Sequence, residues 1–386
     1  MALPFFNCGV IMKTFLKVFI GLLLAVGLFT FAFYRTPQER AFTKNLKSAQ
    51  AGDATAALAV AQAYEKGEGT KPDNIQALEW YQQAAANGSN EAVWQLFQIY
   101  NTGRLSQADP QMALTYLETA AQDNYPAAEY EFGNQYLEGK LVPQHKGQAY
   151  YWYMKAAANG SMPAKAKVDA LSTEDPSLYE SLNHFIETLQ TAENDAQAQL
   201  EIGQACRQGD PILQDDVQAA QWFKKAWETS NEELSQAAYE LADQYAKGEG
   251  VEKDEVTANN LFAKAAELKN PAAQYQMGIL AYTQNPARFE DAFAWFSNAA
   301  AQGHAQAQYM TGFMLLQGQG TKTSVPLAIH FFEQAAQQED ASAQYVLGQI
   351  FTKGLGVKRN IAKGREWLEK AAANGNESAK VLLSAN

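Results

Sequence analysis

The sequence has almost no cysteine: Cys8 and Cys206 are the only two among 386 residues. Cys8 precedes a long hydrophobic run, so everything after that run holds a single thiol and cannot close an internal disulfide. Stability must come from packing, and the thiol count suits either redox compartment. Proline is sparse, at 12 residues, and valine and isoleucine do not alternate with polar residues, which argues against strands and for an all-α chain. Histidine is scarce too. His145, His184, His304 and His330 form no His-Glu-x-x-His pattern and no cysteine–histidine cluster, so no metal ligand is expected. No Gly-x-Ser-x-Gly elbow occurs, and the carboxylates are too diffuse to select a catalytic pair. The sequence therefore predicts no catalytic residue, no cofactor and no enzyme.

Dense runs of lysine or arginine are missing as well. The chain carries 30 basic and 42 acidic side chains, a net charge of −12. Residues 1–35 hold Lys13, Lys17 and Arg35 and no acid, which leaves −15 on the remainder. A body this acidic is repelled by phosphate backbones, which removes nucleic acid from the expected partners. Its acidity reads as a device for solubility.

One long hydrophobic run is present. Val18–Tyr34 is 17 residues without a charge, preceded by Lys13 and Lys17 and followed by Arg35, the pattern of a signal peptide or signal anchor within residues 1–35. As a helix it spans roughly 25 Å at ~1.5 Å per residue, and Phe15 and Leu16 can extend it toward a ~30 Å hydrocarbon core. The best small-x-small site, Thr30-Phe31-Ala32, sits between bulky aromatics, so an uncleaved single-pass anchor is expected ahead of a removed signal. Basic residues flank both sides and do not fix orientation. An N-terminal segment with no second span exports the chain behind it, so the expectation is an inner-membrane anchor with a periplasmic body, or a periplasmic or secreted product after cleavage. Met12 opens a plausible signal of its own, and Cys8 lacks the Leu-x-x-Cys context of a lipoprotein.

Beyond that run the sequence repeats. The segments EWYQQAAANG, YWYMKAAANG and EWLEKAAANG end at Gly88, Gly160 and Gly375. A bulky residue followed four positions later by alanine occurs at Trp80 and Ala84, Tyr116 and Ala120, Trp152 and Ala156, and Trp222 and Ala226. It returns at Leu261 and Ala265, Trp295 and Ala299, Phe331 and Ala335, and Trp367 and Ala371. The period is about 36 residues, as expected for stacked supersecondary units. Positions i and i+4 share one helix face, so bulky residue and alanine are expected to form one core strip. Truncating one of those rings is expected to cost about 3 to 5 kcal/mol.

A preceding helix is expected to carry Gly133, Gly203, Gly312 and Gly348, each 19 residues before its unit's aromatic, with Ala61, Phe97 and Ala242 in the same place elsewhere and Gly278 at 17. Glycine inside a helix costs about 1 kcal/mol relative to alanine, so its recurrence implies close contact there. The pairs Gly67 and Gly69, Gly248 and Gly250, Gly318 and Gly320, and Gly354 and Gly356 are helix ends rather than phosphate loops, since no strand precedes them and no Lys-Ser/Thr follows. Asp73, Asp109, Asp254 and Asn360 are the expected N-caps of the second helices, and Ser230 with Glu233 a capping box for a first helix.

This pattern resembles the Sel-one-like repeats, relatives of tetratricopeptide repeats, in Ala272–Gly278, Tyr245–Val251, Ala149–Gly160 and Ala343–Val357. The resemblance implies an α/α superhelix, a solenoid of about eight helical hairpins plus one degenerate unit. Its expected layout is a capping helix over 36–53, repeats over 54–160, a degenerate hairpin over 161–194 marked by Pro163, Pro176 and Phe185, repeats over 195–375, and a partial C-terminal cap over 376–386. Family members are typically adaptors in envelope assembly, signalling or protein quality control. The expected function is therefore a non-enzymatic scaffold of the cell envelope, with a protein partner on the concave face and the membrane reached through residues 18–34. The alternative is a module for cell-wall glycan or peptide. Gln274, Gln308 and Gln344 are candidates for a groove, weighed against a merely solvated face. Cys206, beside Arg207, is expected to be an inert packing thiol.

Overall fold

The computed structural model describes residues 36–384, and among them the chain forms twenty helices and no strand. Residues 1–35 lie outside the described residues, and with them the expected membrane segment at Val18–Tyr34. Among the described residues no helix is long and apolar enough to cross a membrane. The described residues divide into two compact units, with the boundary between Tyr179 and Glu180.

In the first unit α1 (Pro37–Gln50) precedes three hairpins, α2 (Ala54–Lys66) with α3 (Asn74–Ala86), α4 (Asn90–Thr102) with α5 (Pro110–Gln122), and α6 (Pro126–Glu138) with α7 (Lys146–Ala158), followed by α8 (Met162–Glu174). The second unit takes in most of α9 (Pro176–Thr191) and five hairpins. These are α10 (Ala196–Gln208) with α11 (Asp216–Thr229), α12 (Ser235–Lys247) with α13 (Glu255–Glu267), α14 (Pro271–Thr283) with α15 (Phe289–Ala301), α16 (Ala305–Gln317) with α17 (Val325–Gln337), and α18 (Ala341–Lys353) with α19 (Ile361–Ala373). The short α20 (Glu377–Ser384) comes last, its N-cap Asn376 accepting from the Ala379 N–H. Within each unit every first helix packs on its own second helix, and that second helix on the next first helix. This nearest-neighbour packing is an α-solenoid. Pro163 and Pro176 stand in the first turns of α8 and α9, where a missing N–H costs no hydrogen bond.

The helix ends follow from short side chains and glycine. Asp73, Asp109, Asp254 and Asn360 each accept from backbone N–H groups of the turn they open, at about 3.0 Å. Gly67, Gly248, Gly318 and Gly354 close first helices in the left-handed region. One expected cap is corrected. Ser230 closes α11 instead of opening a helix: its hydroxyl donates to the Trp227 carbonyl and accepts from Leu234 N–H, and α12 begins only at Ser235.

The core strip also differs from expectation by one residue. All eight alanines, Ala84 through Ala371, are fully buried. Of their bulky partners only Trp152 is buried; Trp80, Tyr116, Trp222, Leu261, Trp295, Phe331 and Trp367 are half-buried. The buried position is the next residue along: Tyr81, Leu117, Tyr153, Phe223, Phe262, Phe296, Phe332 and Leu368. The alanine three positions after that residue shares its face just as well as one four positions on, so spacing alone did not separate the two. A lysine three residues on lies over the outer face of three of these rings, 5.0 Å from the half-buried Trp222, 4.6 Å from the half-buried Trp367 and 4.6 Å from the buried Trp152.

The recurring glycines serve this buried residue. A Cβ on Gly133, Gly203, Gly278 or Gly312 would come within 2.5 to 2.9 Å of the ring of Tyr153, Phe223, Phe296 or Phe332, and on Gly348 within 2.6 Å of Leu368. The second glycine of the Gly-x-Gly turn has a different neighbour, the first turn of the preceding helix. Gly69 lies against Gln38, Gly250 against Asp216, Gly320 against Phe289 and Gly356 against Val325.

Candidate functional site

The glutamines weighed between a groove and a solvated face occupy neither. Gln274, Gln308 and Gln344, each the fourth residue of a first helix, are 3–4 % exposed. Each donates from Nε2 to a carbonyl in the last turn of the preceding hairpin, Ala266 at 3.2 Å, Ala300 at 3.3 Å and Ala336 at 3.0 Å. Each accepts through Oε1 from the residue closing its own second helix, Gln302 and Gln338 at 2.8 Å and Asn374 at 3.1 Å. One amide thereby ties three helices, because a buried amide must spend both its donor and its acceptor. A polar residue at every 34th to 36th position reads equally as a solvated stripe, which is why sequence reasoning placed it at the surface.

Glu129 stands at the same position in α6 and is fully buried. Both its oxygens accept from Asn159 Nδ2 at 2.9 Å, and Lys155 Nζ is 3.7 Å away. Burial raises its pKa above the ordinary value, while Asn159 and Lys155 offset part of the rise. A raised folded pKa means the native state holds the proton more firmly, so stability falls as pH climbs through that pKa. Glu129→Gln, which can donate to the Ala121 carbonyl as the other glutamines do to theirs, removes that loss. The variant's advantage in urea unfolding is expected to grow as pH rises from the usual Glu range, ~4.3, to neutrality. A pH-independent difference would contradict the buried charge.

The surface left open lies on the sixth and ninth residues of the first helices. In the second unit these are Glu201 and Gln204, Glu240 and Asp243, Gln276 and Ile279, Met310 and Phe313, and Val346 and Gln349, all half-buried. Successive first helices meet here: the Arg207 guanidinium of α10 is shared by Glu240 and Asp243 of α12, with Glu249 at 3.8 Å and Lys247 holding Asp243 at 2.8 Å. Along this face charge gives way to apolar side chains, Ile279, Met310, Phe313 and Val346, each resting on the core beneath. In the first unit the same positions carry Gln95, Gln98, Glu131 and Asn134, and Arg104 reaches Glu65 at 2.9 Å. Among the described residues no group of three or more His, Cys, Asp or Glu side chains is placed to hold a metal ion.

Five stretches, residues 52–89, 90–125, 126–161, 196–227 and 341–376, match the Sel1 repeat family profile. The chain carries Sel1 repeats in both of its compact units. Residues 251–326 match a profile of plant tetratrico peptide repeats. The chain is similar to an uncharacterized protein of Neisseria meningitidis serogroup B, 28 % identical over 257 residues that make up 65 % of this chain and 52 % of that protein. It is also similar to a chitin synthase regulator of Saccharomyces cerevisiae, 29 % identical over 136 residues, 34 % of this chain and 19 % of that one. The chain thus spans about half the length of the first relative and a fifth of the second. Among solved structures it is similar to a protective antigen of uropathogenic Escherichia coli with an SLR fold, at 26 % identity, covering 92 % of this chain and 77 % of that one with a TM-score of 0.46. A Sel1 repeat protein of Oxalobacter formigenes is 26 % identical over 89 % of this chain and 90 % of that one, with a TM-score of 0.45. Sel1 repeat proteins generally act as protein–protein interaction scaffolds, and their fold is typically non-enzymatic.

The Sel1 signature residues of this chain are thus accounted for by packing. In Ala272-Ala273-Gln274-Tyr275 the second alanine is fully buried, the glutamine ties helices, and the Tyr275 ring lies 5.6 Å from that of Phe296. Cys206, outside the signature, is 1 % exposed, and burial, with the nearby Asp215 charge, pushes its thiol up to about 11. Arg207 does not activate it, being committed to Glu240 and Asp243. At pH 8 native Cys206 is expected to react with a disulfide reagent roughly a hundredfold more slowly than in urea, since about one thiol in a thousand is ionised at that pKa. Equal rates would overturn its inertness.

Proposed function

We propose that this Sel1 repeat chain is a non-enzymatic scaffold of the cell envelope, held at a membrane by residues 18–34 with its body outside the cytoplasm, and that it binds a protein partner along the sixth and ninth residues of its first helices. The observation that carries the reading is the open face itself: every hairpin of the second unit contributes two half-buried side chains to it, while the buried rings, alanines and amides are consumed in packing. Side chains presented at a fixed interval by stacked helices give many modest contacts over an extended surface. A tether adds local concentration beside membrane-bound partners.

The test places a photo-crosslinking side chain at Gln276 or Gln349, on this face, and at Gln83, exposed on the second helix α3. Irradiation of intact cells is expected to give one discrete adduct from the first two positions and none from Gln83. Equal or absent adducts at all three would remove the reading. Carbonate extraction should leave the chain in the membrane fraction, and its release would remove the anchor.

A further inference from the structure

Glu201 is the sixth residue of α10, the position that Glu240 holds in α12. The two carboxylates have different company. Glu240, together with Asp243, receives the Arg207 guanidinium, which projects from the hairpin before. Glu201 has no such arginine: its neighbours are Gln197 Nε2 at 3.3 Å and the exposed imidazole of His184, 3.9 Å away on α9. Where Glu240 meets a cation, Glu201 faces a cleft of about 320 Å³, at the low end of ligand-binding cavities, ~300–1,000 Å³.

That cleft lies between α9 and α10. Its apolar wall is Phe185, Ile202 and Pro211, and its rim carries Glu201 and Asp210. It has a structural origin. Pro211 occupies the second position of the Gly-x-Gly turn, the place where Gly69, Gly250, Gly320 and Gly356 lie against the first turn of a preceding helix. A pyrrolidine ring does not fit such an approach, since even a single Cβ there would overlap the neighbouring backbone or side chain. Apolar walls suit a methylene stem, and two carboxylates at the rim suit a planar cationic head, the combination an arginine side chain provides.

We propose that this cleft is a socket for an arginine side chain of the partner protein, its stem against Phe185, Ile202 and Pro211 and its guanidinium paired with Glu201 as Arg207 is paired with Glu240, while Asp210 adds negative charge to the same cleft. The proposal rests on the scaffold reading and assigns one anchoring contact to it. In the assembly the incoming arginine continues the ladder that Arg207 makes within the chain, so the partner is seated at the start of the regular hairpins of the second unit.

The test uses n-butylguanidinium as the probe, titrated into the full chain carrying ¹³C-labelled isoleucine δ1 methyl groups. The Ile202 methyl is expected to shift saturably, with Ile99 and Ile350 unmoved, and Glu201→Gln with Asp210→Asn to weaken binding at least tenfold. Pentanoate should give no saturable shift. An equal response to neutral 1-pentanol, or no saturation with butylguanidinium, overturns the socket. Should the double variant disturb the Ile350 methyl, Glu201→Gln alone decides, with at least a threefold loss expected and an unchanged affinity counting against the proposal. The photo-crosslinking experiment separates the two readings. An adduct from Gln276 that persists undiminished in the double variant sinks the socket and spares the scaffold, whereas absence of any adduct sinks the scaffold while the titration still judges the socket.

Discussion

Phe332→Ala is expected to destabilise the second unit by about 3–5 kcal/mol, and Phe331→Ala by clearly less. Phe332 has no exposed surface, and its ring fills the space that Gly312 leaves open on the facing helix. Removing it creates a cavity between two backbones already held in close contact, so neighbouring side chains have little room to collapse into it. Phe331 is half-buried and packs from the side against the same cluster. Urea unfolding of the two variants, with hydrogen exchange of α16 and α17, checks the ordering. Equal losses would mean that the core strip runs through the more conspicuous residue after all.

Gly250→Ala is expected to cost about 2–5 kcal/mol, the sum of a left-handed backbone at about 1–2 kcal/mol and overpacking at about 1–3 kcal/mol. Gly250 has φ +69°, and a Cβ there would overlap the Asp216 carbonyl of the preceding hairpin, a backbone atom that cannot swing aside. Gly88→Ala is the control. Its φ is +92° but nothing lies within 4 Å of the added carbon, so only the conformational part applies. Thermal melts of the two variants should differ by the steric contribution, with the loss of exchange protection concentrated in α11 and α12 because contacts in a solenoid reach only neighbours. If both alanines cost the same, the second glycine serves the turn alone and not the junction between hairpins.

The period, the two-helix unit, the glycine ends and the aspartate caps could all be read from the amino-acid sequence because each depends on local chemistry at a fixed spacing. Two assignments were not legible. Tryptophan is the most eye-catching residue at this position, in five of the eight repeats, yet its neighbour is the one fully swallowed by the core; a one-residue step rotates a side chain by about 100° on a helix, and the alanines lie within reach of both. The glutamines failed for a different reason. Gln274, Gln308 and Gln344 have the hydrophilicity of surface residues, and only the carbonyls of Ala266, Ala300 and Ala336 reveal that their amides are internal fasteners. The cleft beside Glu201 was signalled in advance by Pro211 in a glycine's place, but the signal has meaning only once the other second glycines are seen against the preceding helix.

All eight first helices of the regular hairpins are thirteen residues long. Each must deliver a small residue or its substitute at its eighth residue and a left-handed or loop residue just beyond its thirteenth, and five of them a buried polar side chain at the fourth, Glu129, Gln199, Gln274, Gln308 and Gln344. An extra amino acid between any two of these would throw the downstream ones out of rotational phase, so that a glycine made for a ring would face water. Length variation has been pushed elsewhere. The 39-residue interval between Trp222 and Leu261 arises from one added residue at the tail of α11 and a longer link before Ser235, and the 34-residue interval before Trp295 from a shortened link after Thr283. Evolutionary insertions and deletions in such a protein are thereby steered into the connectors, where they alter the pitch from one hairpin to the next without disturbing what either hairpin contains.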